Sequence, residues 1–266
     1  MDEEEPAPVG IDPTKPNIAR VYDYLLGGKD NFAADRATGD AVLQLVPDAM
    51  ESGTENRAFL RRAVRYMVAT AGIGQFLDLG SGLPTQGNVH EIAQELDPEA
   101  RVVYVDNDPV VLVHTRALLE NHDTTAVVTA DLRRPADIIE NATVQKFIDF
   151  DKPVGLLMIA ILHHINDDDD PKGITDQLRA ALAPGSHMAI THFHNPGSAR
   201  PEDEALALAS EKQFNENFGT GRWRFRDEIL AYFGDWELVK PGLVPMPAWR
   251  PDIVGERTLS GVARKV

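Results

Sequence analysis

The sequence predicts a doubly wound α/β domain, with a mostly parallel sheet of seven strands and a helical cap at the N-terminal end. Three observations point there. From about residue 73 onward, short apolar runs alternate with segments of helical spacing. Three successive apolar runs end in an acid, at Asp78, Asp106 and Asp131. The first of these acids opens a turn through two glycines, Gly80 and Gly82, separated by Ser81. Strand–helix units of this length build parallel sheets with right-handed crossovers. Ligands of such sheets lie beyond the carboxyl ends of the strands.

The elements follow in order. Residues 1–15 are acidic and proline-rich with almost nothing to bury, so a disordered tail is expected. Ile18, Val21, Tyr22 and Leu25 keep helical spacing up to Gly27-Gly28, where glycine suits a helix end. A second helix is expected from about Asp35 to Leu45. A third starts near Thr54, its stripe of Leu60, Ala63, Val64, Met67, Val68 and Ala71 wide enough to pack on a sheet. Residues 16–72 form the cap, and 73–266 the ligand-binding α/β domain. Its strands are read at Gln75–Leu79, Arg101–Val105, Ala126–Ala130, Val154–Ile161 and His187–Thr191, with terminal strands near Trp236–Val239 and Thr258–Arg264. Between them, Val89, Ile92, Ala93 and Leu96 share a helix face. Asp108 can cap a helix whose first residue is Pro109. Ile174, Leu178, Ala181 and Leu182 form another stripe, stopped by Pro184-Gly185.

Composition excludes several classes. With 266 residues and 43% apolar content the chain can bury a large core. A formal net charge of −16 argues against a nucleic-acid partner, because phosphates would be repelled over most of the surface. Arg57, Arg61, Arg62 and Arg65 are the best candidates for a local basic patch, and a solvated helix face is their simpler reading. The absence of cysteine excludes disulfides, zinc–thiolate sites and thiol catalysis. No apolar run approaches the roughly 20 residues that cross a bilayer. The acidic start lacks the basic-then-apolar pattern of a signal peptide. A cytoplasmic protein with a small-molecule substrate and no membrane contact is the expectation.

The glycine turn implies a nucleotide-sized ligand. Glycine lets the backbone approach a bound molecule and permits the turn's dihedrals. A dinucleotide pyrophosphate wants a third small residue opening a helix. Here Leu83-Pro84 fill the gap and Thr85 occupies that position. Asp78 is awkward beside phosphates but suits an ammonium group, as in S-adenosylmethionine (SAM). Asp106, with Asn107 after it, falls where a carboxylate can accept both ribose hydroxyls. Asp131 can accept from an adenine amino group while the Leu132 backbone meets a ring nitrogen. A strand-end aspartate can equally just cap a turn; the three in order after a two-glycine turn favour an adenosine-type ligand.

Other residues carry weaker signals. His163 and His164, followed by Asp167 to Asp170, suggest a metal site. Adjacent histidines on an extended segment point to opposite sides, however, and acids before Pro171 are ordinary helix-capping charge. No metal is expected. His163 or His164 could act as general base near neutral pH or simply position an acceptor. His192-Phe193-His194 lies on the same rim, as polar loop or as acceptor site. Trp223, Trp236 and Trp249 read as core or cap residues, with an aromatic substrate wall as the alternative.

The segment Phe76–Thr85, with Val105-Asp106 and Ala130-Asp131-Leu132, resembles the class I SAM-dependent methyltransferases. Asn-Ile-Ala-Arg-Val-Tyr-Asp-Tyr-Leu-Leu-Gly-Gly-Lys-Asp-Asn-Phe over 17–32 narrows the resemblance to an actinobacterial family of S-adenosyl methyltransferases, formerly a domain of unknown function. The resemblance implies a Rossmann-like methyltransferase fold, SAM as cofactor and methyl transfer to an unspecified acceptor. Arg20 and Tyr22, with the Gly27-Gly28 turn, would then fold over the methionine end of SAM, Arg20 meeting its carboxylate; the alternative is a turn that only packs on the sheet. His163 would border the same site. Two other readings stand beside this one: a SAM-binding regulatory protein without transferase activity, and an NAD-dependent oxidoreductase, which the missing third small residue disfavours.

Overall fold

The computed structural model describes residues 12–84, 87–119, 123–250 and 258–265. Most of the expected tail, residues 1–11, lies outside the described residues, as does Thr85. Three helices come first: α1 (Ile18–Leu25), α2 (Ala33–Leu45) and α3 (Ala49–Ala69). The Asn17 side chain caps α1, accepting from the Ala19 and Arg20 amides. Helix α3 begins before Thr54, whose hydroxyl instead donates to the Met50 carbonyl within the helix, a bond open to threonine at any interior position.

The sheet is built from β1 (Gln75–Leu79), β2 (Arg101–Asp106), β3 (Thr125–Thr129), β4 (Gly155–Ile159), β5 (His187–Phe193), β6 (Glu237–Leu238), β7 (Val244–Pro245) and β8 (Thr258–Arg264). Among the described residues its order is β3-β2-β1-β4-β5-β8-β6, with β7 also on β8. The first five strands pair in parallel, and β8 runs antiparallel to β5, β6 and β7. The two-residue β7 is the eighth strand, one more than expected. Connecting helices are α4 (Val89–Gln94), α5 (Pro109–Leu119), α6 (Pro135–Ile139), α7 (Ala142–Phe147), α8 (Pro171–Ala181), α9 (Pro201–Phe218) and α10 (Arg226–Ala231). Helices α6 and α7, of five and six residues, are too short to show a periodic stripe in the sequence.

Strand alternation sorts the core into two layers. Leu77, Leu79, Val103, Val105, Leu156 and Met158 face one cluster with α8 and α10 residues. Phe76, Val102, Tyr104 and Leu157 face the other, where α3 supplies Phe59, Leu60, Ala63, Val64 and Met67, all 3% exposed or less. The third stripe thus packs on the sheet as its width predicts. Trp249, fully buried, meets Phe59 edge to face, and Trp236 is buried in the first layer.

Strand β4 stops two residues short of the expected Ile161. Ala160 takes φ 57, which leaves the ladder, and its amide donates instead to the Thr191 hydroxyl at 2.8 Å. The four arginines of α3 do not form a shared basic patch. Arg61 and Arg65 pair with Glu95 at 3.0 and 3.1 Å, partly exposed. Arg62 donates to the Met246 and Trp249 carbonyls, and Arg57 to the Gly87 carbonyl. Among the described residues no helix is long and apolar enough to cross a membrane.

Candidate active site

Strand order reverses between β1 and β4, where crossovers leave on opposite sides and open a crevice at the strand ends. A cleft of about 820 Å³ lies there, roofed by residues of α1, α2, α3 and α9. Gly80 and Gly82 adopt φ 68 and 66, as a turn closing back on β2 requires. The Gly80 amide donates to the Val105 carbonyl at 2.8 Å, and a Cβ on Gly80 would collide with the Ile161 side chain. Ser81 joins the glycines in lining the cleft.

Asp106 organises this end. One carboxylate oxygen accepts from the Gly82 amide and the other from the Asp108 amide, both at 2.9 Å. Each oxygen keeps a free lone pair, so a diol could still be accepted by both. Burial raises the Asp106 carboxyl above the usual range, and backbone hydrogen bonds from Asp108, Gly82 and Asn107 oppose that rise. Asn107 follows, exposed at the cleft. Asp108 caps α5 through the Val110 amide and accepts from the Asn17 side chain, which ties the start of α1 to this edge.

Asp78, 7% exposed on the α3 face of β1, accepts no hydrogen bond from a described residue. Burial pushes its carboxyl up to about 7, against the pull of Arg57 and with a push from Asp106. A buried carboxylate without a donor fits a cationic partner. Leu132 is buried in the cleft wall. Asp131 also lines the cleft, but Arg133 grips both its oxygens at 2.6–3.1 Å and holds its carboxyl below the usual range. An adenine amino group would have to share that carboxylate.

Tyr22 lines the cleft, and Arg20 does not. The Arg20 guanidinium is buried against Asp35 at 2.7 Å and donates to the Lys15 carbonyl, so it is spent holding α1 to α2. This corrects the expected contact with a cofactor carboxylate. Nor do Gly27 and Gly28 reach the cleft. Their turn wraps the buried Asp23, which accepts from the Asp30 amide and the Asn31 side chain, and a Cβ on Gly28 would strike that carboxylate. The polar density of this motif is therefore internal to the cap.

The other end of the cleft is aromatic. The His163 ring stacks on Phe193 at 3.7 Å and Phe193 on Trp223 at 4.2 Å, with Phe214 edge-on to the last two. Trp223 thus takes the role of a wall, whereas Trp236 and Trp249 are core. Burial holds His163 well below the usual histidine range and His164 at about 4, so neither titrates near neutral pH as a general base would. His192 lies behind the wall. Arg224 donates to its Nε2 at 3.1 Å, so its Nδ1–H donates to the Phe193 carbonyl, and burial pushes it down to about 3. Arg224 also binds the Leu162 and Ile165 carbonyls and Asp167. Asp170 caps α8 through the Gly173 amide. Among the described residues no cluster of metal-ligand type is present.

Sequence reasoning missed Asn17, Asn56, Phe214 and Arg224. The Asn56 side chain accepts from the Thr191 hydroxyl at 2.7 Å and donates to that of Tyr22 at 2.9 Å, bridging β5 to the roof. Apart from the Asn17 cap, the contacts that place them in the site reach across the chain, so no local pattern marks them.

Comparisons with known proteins agree with this geometry. The model of a family described as S-adenosyl methyltransferase matches residues 4–265. No curated protein matches the chain. A crystal structure of a "putative methyltransferase" from Thermobifida fusca YX is 45% identical, with a TM-score of 0.90 over 97% of this chain and 98% of that one. A DUF574 family protein from Streptomyces avermitilis MA-4680 is 36% identical, with a TM-score of 0.89 over 96% and 99%. Human N-acetylserotonin methyltransferase, solved in complex with SAM, shares the fold at 13% identity and a TM-score of 0.50, over 95% of this chain and 63% of that one.

Proposed function

This chain belongs to the S-adenosyl methyltransferase family, and on that footing we propose how its cleft divides the work of a SAM-dependent methyltransferase. The observation that carries the assignment is that the glycine turn, Asp78 and Asp106 line the same cleft as the aromatic wall. Asp106 would hold the ribose hydroxyls, Asp78 the ammonium group, and Leu132 with Asp131 the adenine. The residues present fit the cofactor: a glycine turn with open space where a Cβ of Gly82 would stand, a carboxylate that can still accept a hydroxyl, and a buried carboxylate with no donor among the described residues. When bound, SAM supplies a methyl carbon already activated by its positive sulfur.

The chain's own part is to orient and to exclude water. Holding two reactants in register can supply much of a rate enhancement without a dedicated catalytic group. The roof helices and the wall shield the cleft. His163 and His164, held neutral by burial, can accept a hydrogen bond from an acceptor; His192 cannot, because Arg224 occupies its lone pair. A small molecule, not a nucleic acid, is the acceptor this arrangement favours. The net charge is −16, and Arg61, Arg62 and Arg65 are engaged within the fold. A cytoplasmic site of action is the matching reading.

Asp106→Asn tests the assignment. It puts an amide donor against one backbone N–H and removes the charge that would assist both ribose bonds, a loss on the order of 2–4 kcal/mol. Calorimetry with S-adenosylhomocysteine should show affinity falling at least tenfold; a change under threefold would place the ribose elsewhere.

A further inference from the structure

Family membership leaves the acceptor open, and the wall at the far end of the cleft narrows it. Both faces of Phe193 are covered, by His163 and by Trp223, since two rings stacked at 3.7 and 4.2 Å cannot share one face. Phe214 braces the stack edge-on to Phe193 and Trp223, with ring centroids 5.6 and 5.2 Å apart. His164 lies nearly parallel to Phe214. All five rings line the cleft, on the side away from Asp78 and Asp106. The wall is therefore already assembled in the fold, and with Phe193 covered on both faces the flat surface it offers a planar partner is the Trp223 face turned away from Phe193.

Charge and polarity refine the match. Two ion pairs at the rim of this end are closed within the protein: Arg200 holds Asp203 at 2.6 Å, and Arg222 holds Glu211 at 3.3 Å. The polar atoms left within the aromatic set are those of the imidazoles and the Trp223 indole N–H. The Nδ1 atoms of His163 and His164 are sealed within the fold without a partner, so a ligand in the cleft would meet these rings at Nε2. A neutral imidazole protonated at Nδ1 offers an acceptor lone pair at Nε2.

We propose that the acceptor is an uncharged planar aromatic molecule bearing a ring hydroxyl or amine, stacked on the outer face of Trp223 with its O–H or N–H directed to the imidazoles of His163 and His164. The proposal rests on the methyltransferase reading of the cleft.

Four naphthalene-sized probes separate its parts: naphthol, methoxynaphthalene, naphthoate and decahydronaphthol. Each is titrated calorimetrically into the full chain, alone and saturated with S-adenosylhomocysteine. Naphthol should bind at least tenfold more tightly than the ether, the anion or the saturated alcohol. Trp223→Leu should weaken naphthol at least tenfold and leave S-adenosylhomocysteine within threefold. His164→Phe keeps a ring in the wall and should erase the preference of naphthol over methoxynaphthalene. Equal binding of decahydronaphthol, or tighter binding of naphthoate, overturns the proposal. If S-adenosylhomocysteine binds and no aromatic probe does, the acceptor class is wrong and the cofactor site stands. If S-adenosylhomocysteine itself fails to bind, the cofactor site and the proposal fall together.

Discussion

Asp78 is a buried carboxylate with no donor among the described residues, and its titration follows from its burial. Its folded carboxyl, at about 7, lies above the ordinary value of 3.8. The protonated form is thus favoured in the fold. The group's contribution to stability is fully present below about pH 4 and is lost as pH rises through about 7. A bound ammonium reverses the preference, because it needs the anion. Affinity for S-adenosylhomocysteine should therefore rise between about pH 6 and about pH 8, and Asp78→Asn should flatten that rise. Calorimetry across the interval decides it: a flat profile in the unaltered protein removes Asp78 from the ammonium site. The position of Asp78 at a strand end was legible in the sequence. Its lack of a donor was not, because that depends on Tyr104, Arg57 and Asp106 arriving from other elements.

At the level of elements, apolar runs closed by acids marked β1, β2 and β3 to within a residue. Strands β1 and β2 lie inside the sheet, where both faces must be apolar, and the edge strand β3 keeps enough of the pattern to be read. The end of β4 was hidden, since Ala160 and Ile161 continue the apolar run while the backbone has already turned. The joint between α1 and α2 shows the same limit at a site residue. Arg20 looks like a ligand group in the sequence, and only the fold brings it against Asp35, which is fully buried and also accepts from the Asn17 and Phe32 amides. Arg20→Met should leave that carboxylate unpaired and cost about 3–5 kcal/mol of stability. Urea unfolding measures the loss. S-adenosylhomocysteine affinity of the folded fraction should stay within threefold; unchanged stability with lost affinity would return Arg20 to the cofactor.

For the molecule as a whole, the aromatic end of the cleft was the least legible part. Its rings come from the turn after β4, from β5, from α9 and from the loop beyond it, and no spacing in the chain announces that they meet. The same is true of the chain from Thr191 through Asn56 to Tyr22, which runs from the sheet into the roof with each link a buried or part-buried hydrogen bond. Its consequence concerns cooperativity. Opening α1 alone would strand the Asn56 amide, and loosening α3 would uncover the layer it shares with β1 and β4. The roof and the central strands should therefore form one unfolding unit, with their slowest amides exchanging at closely similar free energies by native-state hydrogen exchange. Asn56→Leu should split them, so that α1 exchanges well below the strands. A roof already exchanging independently in the unaltered protein would show that the bridge does not couple the two. Where the coupling holds, ligands reach the cleft through its rim, between helices that stay folded.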